Sequence, residues 1–334
     1  MRIGTISYKT NTGLGYQCRD YVKFLNAKPM VIDLSMHNRV VLNDWYPGIK
    51  VIKDYPRDED IKEFIKDLDV LIFGETPLNY NFYKIAKTCG IKTATVINWE
   101  FFDHIIHPDY PLPDLFIMPS IWGYKEVKEF SDQKGIKCIQ LHHPVDRNEI
   151  TYKLRTTKKF LHIAGKPATY DRNGTWEFLT HVLNGRVTTQ SVDLANQIRS
   201  RYRHTQVYTN IQDNNYLYQL GDILIYPRRY GGNSLVLNEA LSSGMPVCMP
   251  DISPNNNILP TEWLVPAKIV ESFTPRTKID VYSVISELFK EKLDWFRNCD
   301  IEKESRKANE IADTISWDKL KSKYIEALED LCKS

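Results

Sequence analysis

Between Asp222 and Met249 the residue pattern allows little except strand, turn, helix and strand. Asp222 to Tyr226 is a short apolar run of the kind buried in a parallel sheet. Gly231, Gly232, Asn233 and Ser234 break the periodicity, and Leu235, Val236, Leu237, Ala240 and Leu241 resume it at helical spacing. Gly244 and Pro246 stop that helix, and Val247 to Met249 reads as the next strand. A glycine turn between a strand and a helix N-terminus gathers free backbone N–H groups at the positive end of the helix dipole. That arrangement suits a phosphate.

The same alternation runs through the rest of the chain. Strands are expected at Arg2–Ser7, Met30–Leu34, Asp69–Gly74, Lys92–Ile97, Leu115–Met118, Ile136–Leu141, Lys159–Gly165 and Gln206–Thr209. Helices are expected after Tyr16, over Asp60–Leu68 and Tyr80–Cys89, from Ser120 toward Phe130, over Asn215–Leu220 and from Val281. A closing helix carries Trp317, Leu320, Tyr324, Leu328 and Leu331 on one face, read as packing. Repeating β-α units predict doubly wound parallel sheets, whose ligands sit beyond the carboxyl ends of the strands. A first such end is Thr10 to Tyr16, where Gly13 and Gly15 permit close approach of a ligand.

With 334 residues the chain is comfortable for two domains, and 26% charged against 42% hydrophobic residues excludes a disordered chain. No apolar run approaches the length needed to span a bilayer, and Met1 to Tyr8 is too short and polar for a signal peptide. Six scattered cysteines without a Cys-x-x-Cys pair favour a reducing, cytoplasmic setting with no structural zinc. Net charge is only +2, yet ten basic residues stand against three acids between Thr151 and Gln206, with Arg199, Arg201 and Arg203 beside His204. Such a segment suits a diphosphate, a polyanion or a membrane surface, and equally a solvated helix face.

Pro227, Gly232, Leu235, Val236, Leu237, Glu239, Ala240, Gly244, Pro246 and Val247 match, at fixed spacing, a motif of retaining glycosyltransferases. The chain thus resembles the glycogen-synthase-like and sucrose-synthase-like family of GT-B architecture. That resemblance implies two Rossmann-like doubly wound domains facing a cleft, with a C-terminal helix crossing back. Pro144 to Asp146 resembles the close of the family's N-terminal domain. The implied domains are 1–147 for the acceptor, 148–312 for the donor and 313–334 for the last helix, with Arg147 to Thr157 as linker.

The resemblance also implies roles. Glu239 would hold the ribose hydroxyls of a nucleotide. Gly13, Gly15, Arg229, Gly231, Gly232, Asn233, Ser234 and Leu235 would line the donor, and Lys166 and Arg172 would offset the charge of the leaving diphosphate. Gly231 stands where the family carries a sugar-contacting glutamate, and Asn233 and Ser234 replace Phe and Gly. The family's N-terminal histidine has no counterpart in register, which leaves Asn98, Glu100 and His104, with His142 and His143 behind them, as catalytic candidates. The implied reaction moves a sugar from a nucleotide diphosphate sugar, a UDP-sugar, to a hydroxyl. It proceeds with retention, with no metal and no cofactor besides that co-substrate.

The Thr12 to Tyr16 loop and the Asn98 to Glu100 turn look like those of phage-encoded members, some of which modify hydroxymethylated bases in viral DNA. The Arg199 cluster, Arg228 or Arg229 would then meet phosphates, and the base would be flipped out. No basic amphipathic helix for a membrane stands in the first 147 residues. Two readings from other classes stay open: a catalytically silent nucleotide-sugar-binding protein, and a nucleotide-sugar epimerase of similar architecture. Oligomeric state has no signature in the sequence.

Overall fold

The computed structural model describes residues 1–10, 12–33, 44–211 and 213–333. Of the sequence expectations, Asn11 in the first glycine loop, Leu34 of the second strand and Ser334 of the last segment lie outside the described residues. The chain divides into two compact units, Met1–His143 with Trp317–Ser334, and Pro144–Ser316.

The first unit runs β1 (Ile3–Tyr8), α1 (Gly13–Leu25), β2 (Lys28–Asp33), β3 (Val51–Lys53), α2 (Asp58–Ile65), β4 (Val70–Gly74) and α3 (Asn81–Thr88). It continues with β5 (Lys92–Val96), α4 (Phe102–Ile105), β6 (Leu115–Met118), α5 (Tyr124–Lys134) and β7 (Lys137–Gln140). Its seven strands are ordered β3-β2-β1-β4-β5-β6-β7, and every pairing is parallel. The chain direction across the sheet reverses between β1 and β4, so the ligand crevice of this unit belongs at the ends of those two strands.

The second unit runs β8 (Phe160–Gly165), α6 (Thr175–His181), β9 (Arg186–Thr189), α7 (Val192–Arg201), β10 (Gln206–Thr209), α8 (Asn214–Gln219), β11 (Ile223–Ile225) and α9 (Leu235–Ser242). Then come β12 (Val247–Pro250), β13 (Leu264–Val265), β14 (Ala267–Phe273), β15 (Ile279–Val284), α10 (Ser286–Asn298) and α11 (Ile301–Thr314). Six parallel strands are ordered β10-β9-β8-β11-β12-β13, with the reversal between β8 and β11. The segment from Val281, expected to open a helix, is strand β15 in an antiparallel hairpin with β14. Ile279 and Val281 are buried while Asp280 and Tyr282 are not, a period of two that β14 supplies the partner for. The helix begins five residues later, at Ser286.

The last helix, α12 (Trp317–Lys333), belongs to the first unit. Trp317 stacks on Phe24 with ring centroids 4.8 Å apart and donates to the Asp20 carboxylate at 3.0 Å. Tyr324, Leu328 and Leu331 follow it into the core beside Tyr21 and Leu25, and Leu320 is buried as well. Each such side chain stabilises by roughly 1.5–3 kcal/mol on burial.

Arg147 to Thr157 was expected to be a linker, but the segment is pinned, Arg147 to Asp313 at 3.0 Å and Arg155 to buried carbonyls. Arg155 is only 1% exposed. Its guanidinium donates to the carbonyls of Tyr218 and Gly221 at 2.9 Å each and of Ser243 at 2.7 Å, and its N–H donates to Ser305 Oγ at 3.0 Å. A planar fork of donors meeting three carbonyls is how a buried arginine is made tolerable.

Two buried histidines give the fold an acid sensitivity. His162 lies between the Ile225 carbonyl oxygen (2.9 Å) and Thr175 Oγ1 (3.1 Å), and burial pushes its pKa down to about 4. His143, edge-on to the rings of Tyr21 and Trp317, is pushed down by burial to about 3. Both fall below the ordinary 6.5, so their contribution is complete above that pH and is lost as pH drops toward 4 and 3. Over that window the unfolding free energy should fall by up to about 1.4 kcal/mol per pH unit for each histidine. Urea melts from neutral pH downward check this, and His162→Gln should flatten the slope; an unaltered slope would contradict the assignment.

Candidate functional site

The site of the second unit is built where its strand order reverses, from the loops after β8 and β11. The two loops are laced together. Asn173 donates to the Ala164 carbonyl at 2.9 Å and accepts from the Tyr226 hydroxyl at 2.9 Å. The Arg229 N–H donates to the Arg172 carbonyl at 2.8 Å, and the Tyr230 hydroxyl donates to the Thr169 carbonyl at 2.8 Å. Gly174, at φ +71°, comes so close to Pro227 that a Cβ there would sit 2.1 Å from the Pro227 carbonyl oxygen. Tyr170 and Asp171 both take left-handed conformations in this loop, at φ 55° and 50°. Non-glycine residues held there store strain that the surrounding bonds offset.

Gly231 is the centre of the arrangement. Its φ is +124°, and a Cβ on it would lie 2.3 Å from Arg228 Nη2 and 2.6 Å from Arg172 Nη2. A side chain here would be strained at that φ and would have to push aside the two guanidinium groups that occupy the space beside it. Arg228 is 7% exposed and donates to the Gly232 carbonyl at 3.0 Å; Arg172 lies over the Tyr230 ring at 5.3 Å. Two cations held this close to one backbone atom favour an anion there over a neutral group. Just beyond, Ser234 caps α9, its Oγ accepting from the Leu237 N–H at 3.4 Å. Gly232, Asn233 and Leu235 are half-buried around this turn.

Glu239 sits one turn into α9 and is already oriented. Its Oε2 accepts from the Tyr218 hydroxyl at 2.6 Å and its Oε1 from Asn214 Nδ2 at 3.3 Å. Tyr218 is buried; desolvation, then the Glu239 charge, hold its pKa well above the usual phenol value, so it stays a donor. Lys166 and Arg172 line one open cavity of about 490 Å³ with Asp171, Trp176 and Asp193. Asp171 accepts from the N–H groups of Thr175 and Trp176 at 3.0 and 2.9 Å, which closes the N-terminus of α6, while burial raises its pKa.

Arg229, expected at the donor, is turned elsewhere. Its guanidinium donates to the carbonyls of Tyr282 and Tyr170, at 3.0 and 2.9 Å, so it ties the loop to β15. Its neighbour Arg228 takes the place beside Gly231. Arg228 is buried, and Arg229 is half-buried with Nε and Nη1 engaged on carbonyls. Arg199 donates to the Val207 carbonyl at 3.0 Å, leaving Arg201 and Arg203 exposed at the end of α7.

In the first unit, Gly13 and Gly15 form the first turn of α1, where Thr12 caps the helix by accepting from the Gly15 N–H at 3.3 Å. A Cβ on Gly15 would lie 2.0 Å from the Thr10 carbonyl oxygen, so only glycine fits. After β4, Glu75 takes a left-handed φ of 65° and accepts from Asn98 Nδ2 at 3.0 Å. Asn98 and Glu75 are thus one pair at the carboxyl edge. Glu100 lies in the short helical turn Trp99–Phe101, half-buried. His104 is packed among the rings of Tyr80 and Tyr110, each 5.8 Å away, and His143 is in the core. Sequence reasoning named Arg228 only as a DNA-phosphate contact and missed Tyr218 and Glu75. Only Glu75, at a strand end, had a positional signal.

No family model matches the chain, and neither does any curated relative. Solved structures do. A glycosyltransferase from Rickettsia africae covers 100% of this chain and 99% of its own at TM-score 0.67 and 12% identity. Anabaena HepE in complex with UDP covers 99% and 100% at TM-score 0.67 and 11% identity. The pneumococcal O-GlcNAc transferase GtfA, in complex with UDP and GlcNAc, covers 100% and 99% at TM-score 0.66 and 10% identity. The fold is GT-B, two parallel-sheet α/β domains. No helix among the described residues is long and apolar enough to cross a membrane.

Proposed function

We propose that this chain transfers a glycosyl unit from a UDP-sugar to a hydroxyl acceptor. The observation that carries the reading is the crowding of Arg172 and Arg228 against Gly231 at the mouth of α9, with Glu239 held by Tyr218 one turn further on. Cations and a helix N-terminus beside a carboxylate that can accept two hydroxyl protons are what a nucleoside diphosphate requires. The Rickettsia africae structure of the same fold is a glycosyltransferase and the Anabaena one holds UDP, which supports the same chemistry here.

In this reading Lys166, Arg172 and Arg228 take up the negative charge that grows on the departing diphosphate, without a metal. In the first unit by itself, Gly13 and Gly15 leave the α1 turn open to close approach of a ligand, and the Asn98–Glu75 pair stands at the carboxyl edge of the same sheet. Transfer is with retention. Position 231 offers the sugar no carboxylate, so sugar choice differs from that of relatives carrying the glutamate. A hydroxymethylated base in DNA is the acceptor candidate, supported by the resemblance of the Thr12–Tyr16 and Asn98–Glu100 segments to phage enzymes.

Nucleoside diphosphate release from UDP-, GDP- and ADP-sugars, with and without hydroxymethylated DNA, tests both halves. Release from UDP-sugars only with modified DNA supports the whole reading. Hydrolysis indifferent to DNA removes that acceptor, and binding without turnover replaces the enzyme with a silent nucleotide-sugar-binding protein. Glu239→Gln, which keeps a contact for Tyr218, should weaken UDP binding by about 1.5–3 kcal/mol by calorimetry. Unchanged affinity would remove Glu239 from the nucleotide.

A further inference from the structure

The first unit carries a second recess, at the amino ends of β5, β6 and β7, away from the strand ends described above. It is an open cavity of about 1010 Å³ whose rim includes Lys84, Lys87, Lys92, Lys134 and Lys137. Lys84 and Lys87 lie one turn apart on α3, Lys134 ends α5, and Lys92 and Lys137 begin β5 and β7. Among the described residues none of the five is in an ion pair, whereas Lys66, Lys125, Lys128 and Lys307 each have a carboxylate partner. The recess has two acids of its own against its five lysines. Asp114 Oδ2 accepts from the N–H and hydroxyl of Thr93, each at 2.8 Å, and Asp330 faces Lys333 at 3.8 Å.

A smaller recess of about 460 Å³ adjoins it, sharing Tyr110 and Pro111, and is lined by Tyr55, Tyr80, Asn81 and one acid, Asp109, which lies 3.6 Å from His107 Nδ1. Tyr110 stacks on Tyr80 with centroids 4.0 Å apart and planes within 11°, and Tyr55 is 56% exposed. Five lysines outside any ion pair, outnumbering the acids beside them and running into partly exposed aromatic rings, form a groove that tracks a phosphate backbone at one end and offers bases a surface at the other. We infer that this α3 face binds single-stranded nucleic acid. A purely ionic ligand such as polyphosphate would use the lysines and leave the tyrosines idle. A duplex would hide its bases from them.

The inference stands apart from the donor chemistry, since binding is measured with no sugar present. A fluorescein-labelled oligothymidylate of about twenty nucleotides, titrated with the full chain, should bind with a log–log salt slope of about −2 or steeper. Lys84→Glu with Lys87→Glu, both exposed positions, should weaken binding at least about tenfold, and Tyr55→Ala at least about fivefold. Duplex of the same length should bind more weakly than the single strand. Indifference to the lysine changes overturns the site. Loss with the lysines but none with Tyr55→Ala, together with equal competition by polyphosphate, overturns nucleic acid as its ligand.

Discussion

Gly231→Ala should lower the affinity for a UDP-sugar by about tenfold to a hundredfold, roughly 1.4–2.7 kcal/mol, while the chain still folds. The new Cβ would meet Arg228 Nη2 at 2.3 Å and Arg172 Nη2 at 2.6 Å, so both guanidinium groups must withdraw. A φ of +124° adds backbone strain of about 1–3 kcal/mol, visible separately as a lower melting temperature. Gly231→Glu is the sharper variant. It places a carboxylate between the two arginines, where it should neutralise them and compete with the diphosphate. Calorimetric titration with the donor decides: Gly231→Glu binding the donor as tightly as the parent chain would show that the arginines do not hold it.

Arg155→Met should cost the second unit about 3 kcal/mol or more in urea unfolding, at about 1–3 kcal/mol for each buried carbonyl left unpaired. The carbonyls of Tyr218, Gly221 and Ser243 would lose a charged donor in a place that water does not reach. Arg155→Lys should recover little, because one ammonium cannot span three carbonyls as the planar fork does. The same substitution should reach the ligand. Arg155 holds the backbone of Tyr218, whose hydroxyl orients Glu239. UDP affinity should therefore fall together with stability, and a loss under about 1 kcal/mol with unaltered UDP binding would contradict both parts.

Much of the second unit's site was legible because its causes are local. Apolar run, glycines, serine cap and aliphatic helix follow one another within Asp222 to Met249, and each boundary has its own residue chemistry. What was not legible depends on residues far away in the chain. Arg228 and Arg229 are adjacent in sequence, and only the carbonyls of Tyr170 and Tyr282 decide that Arg229 turns aside. Val281 reads as a helix start until Ala267–Phe273 is there to pair with it. Arg155 stands in a polar stretch that looks like a tether, and its partners are backbone carbonyls, which every residue has. Tyr218 and Glu239 are twenty-one positions apart, on different helices. In the first unit the short edge strand Val51–Lys53 has too few residues to show an alternation.

The place of α12 has a consequence for how the molecule is made. Trp317 completes a core begun by Tyr21 and Phe24, and every residue of the second unit is polymerised between those two events. A ribosome therefore releases all of Pro144–Ser316 before the helix that seals Met1–His143 exists. Nascent chains commonly settle from the amino end onward. This one must keep the α1 face of Met1–His143 waiting, with Trp317's berth unfilled, until the whole of the second unit has been made.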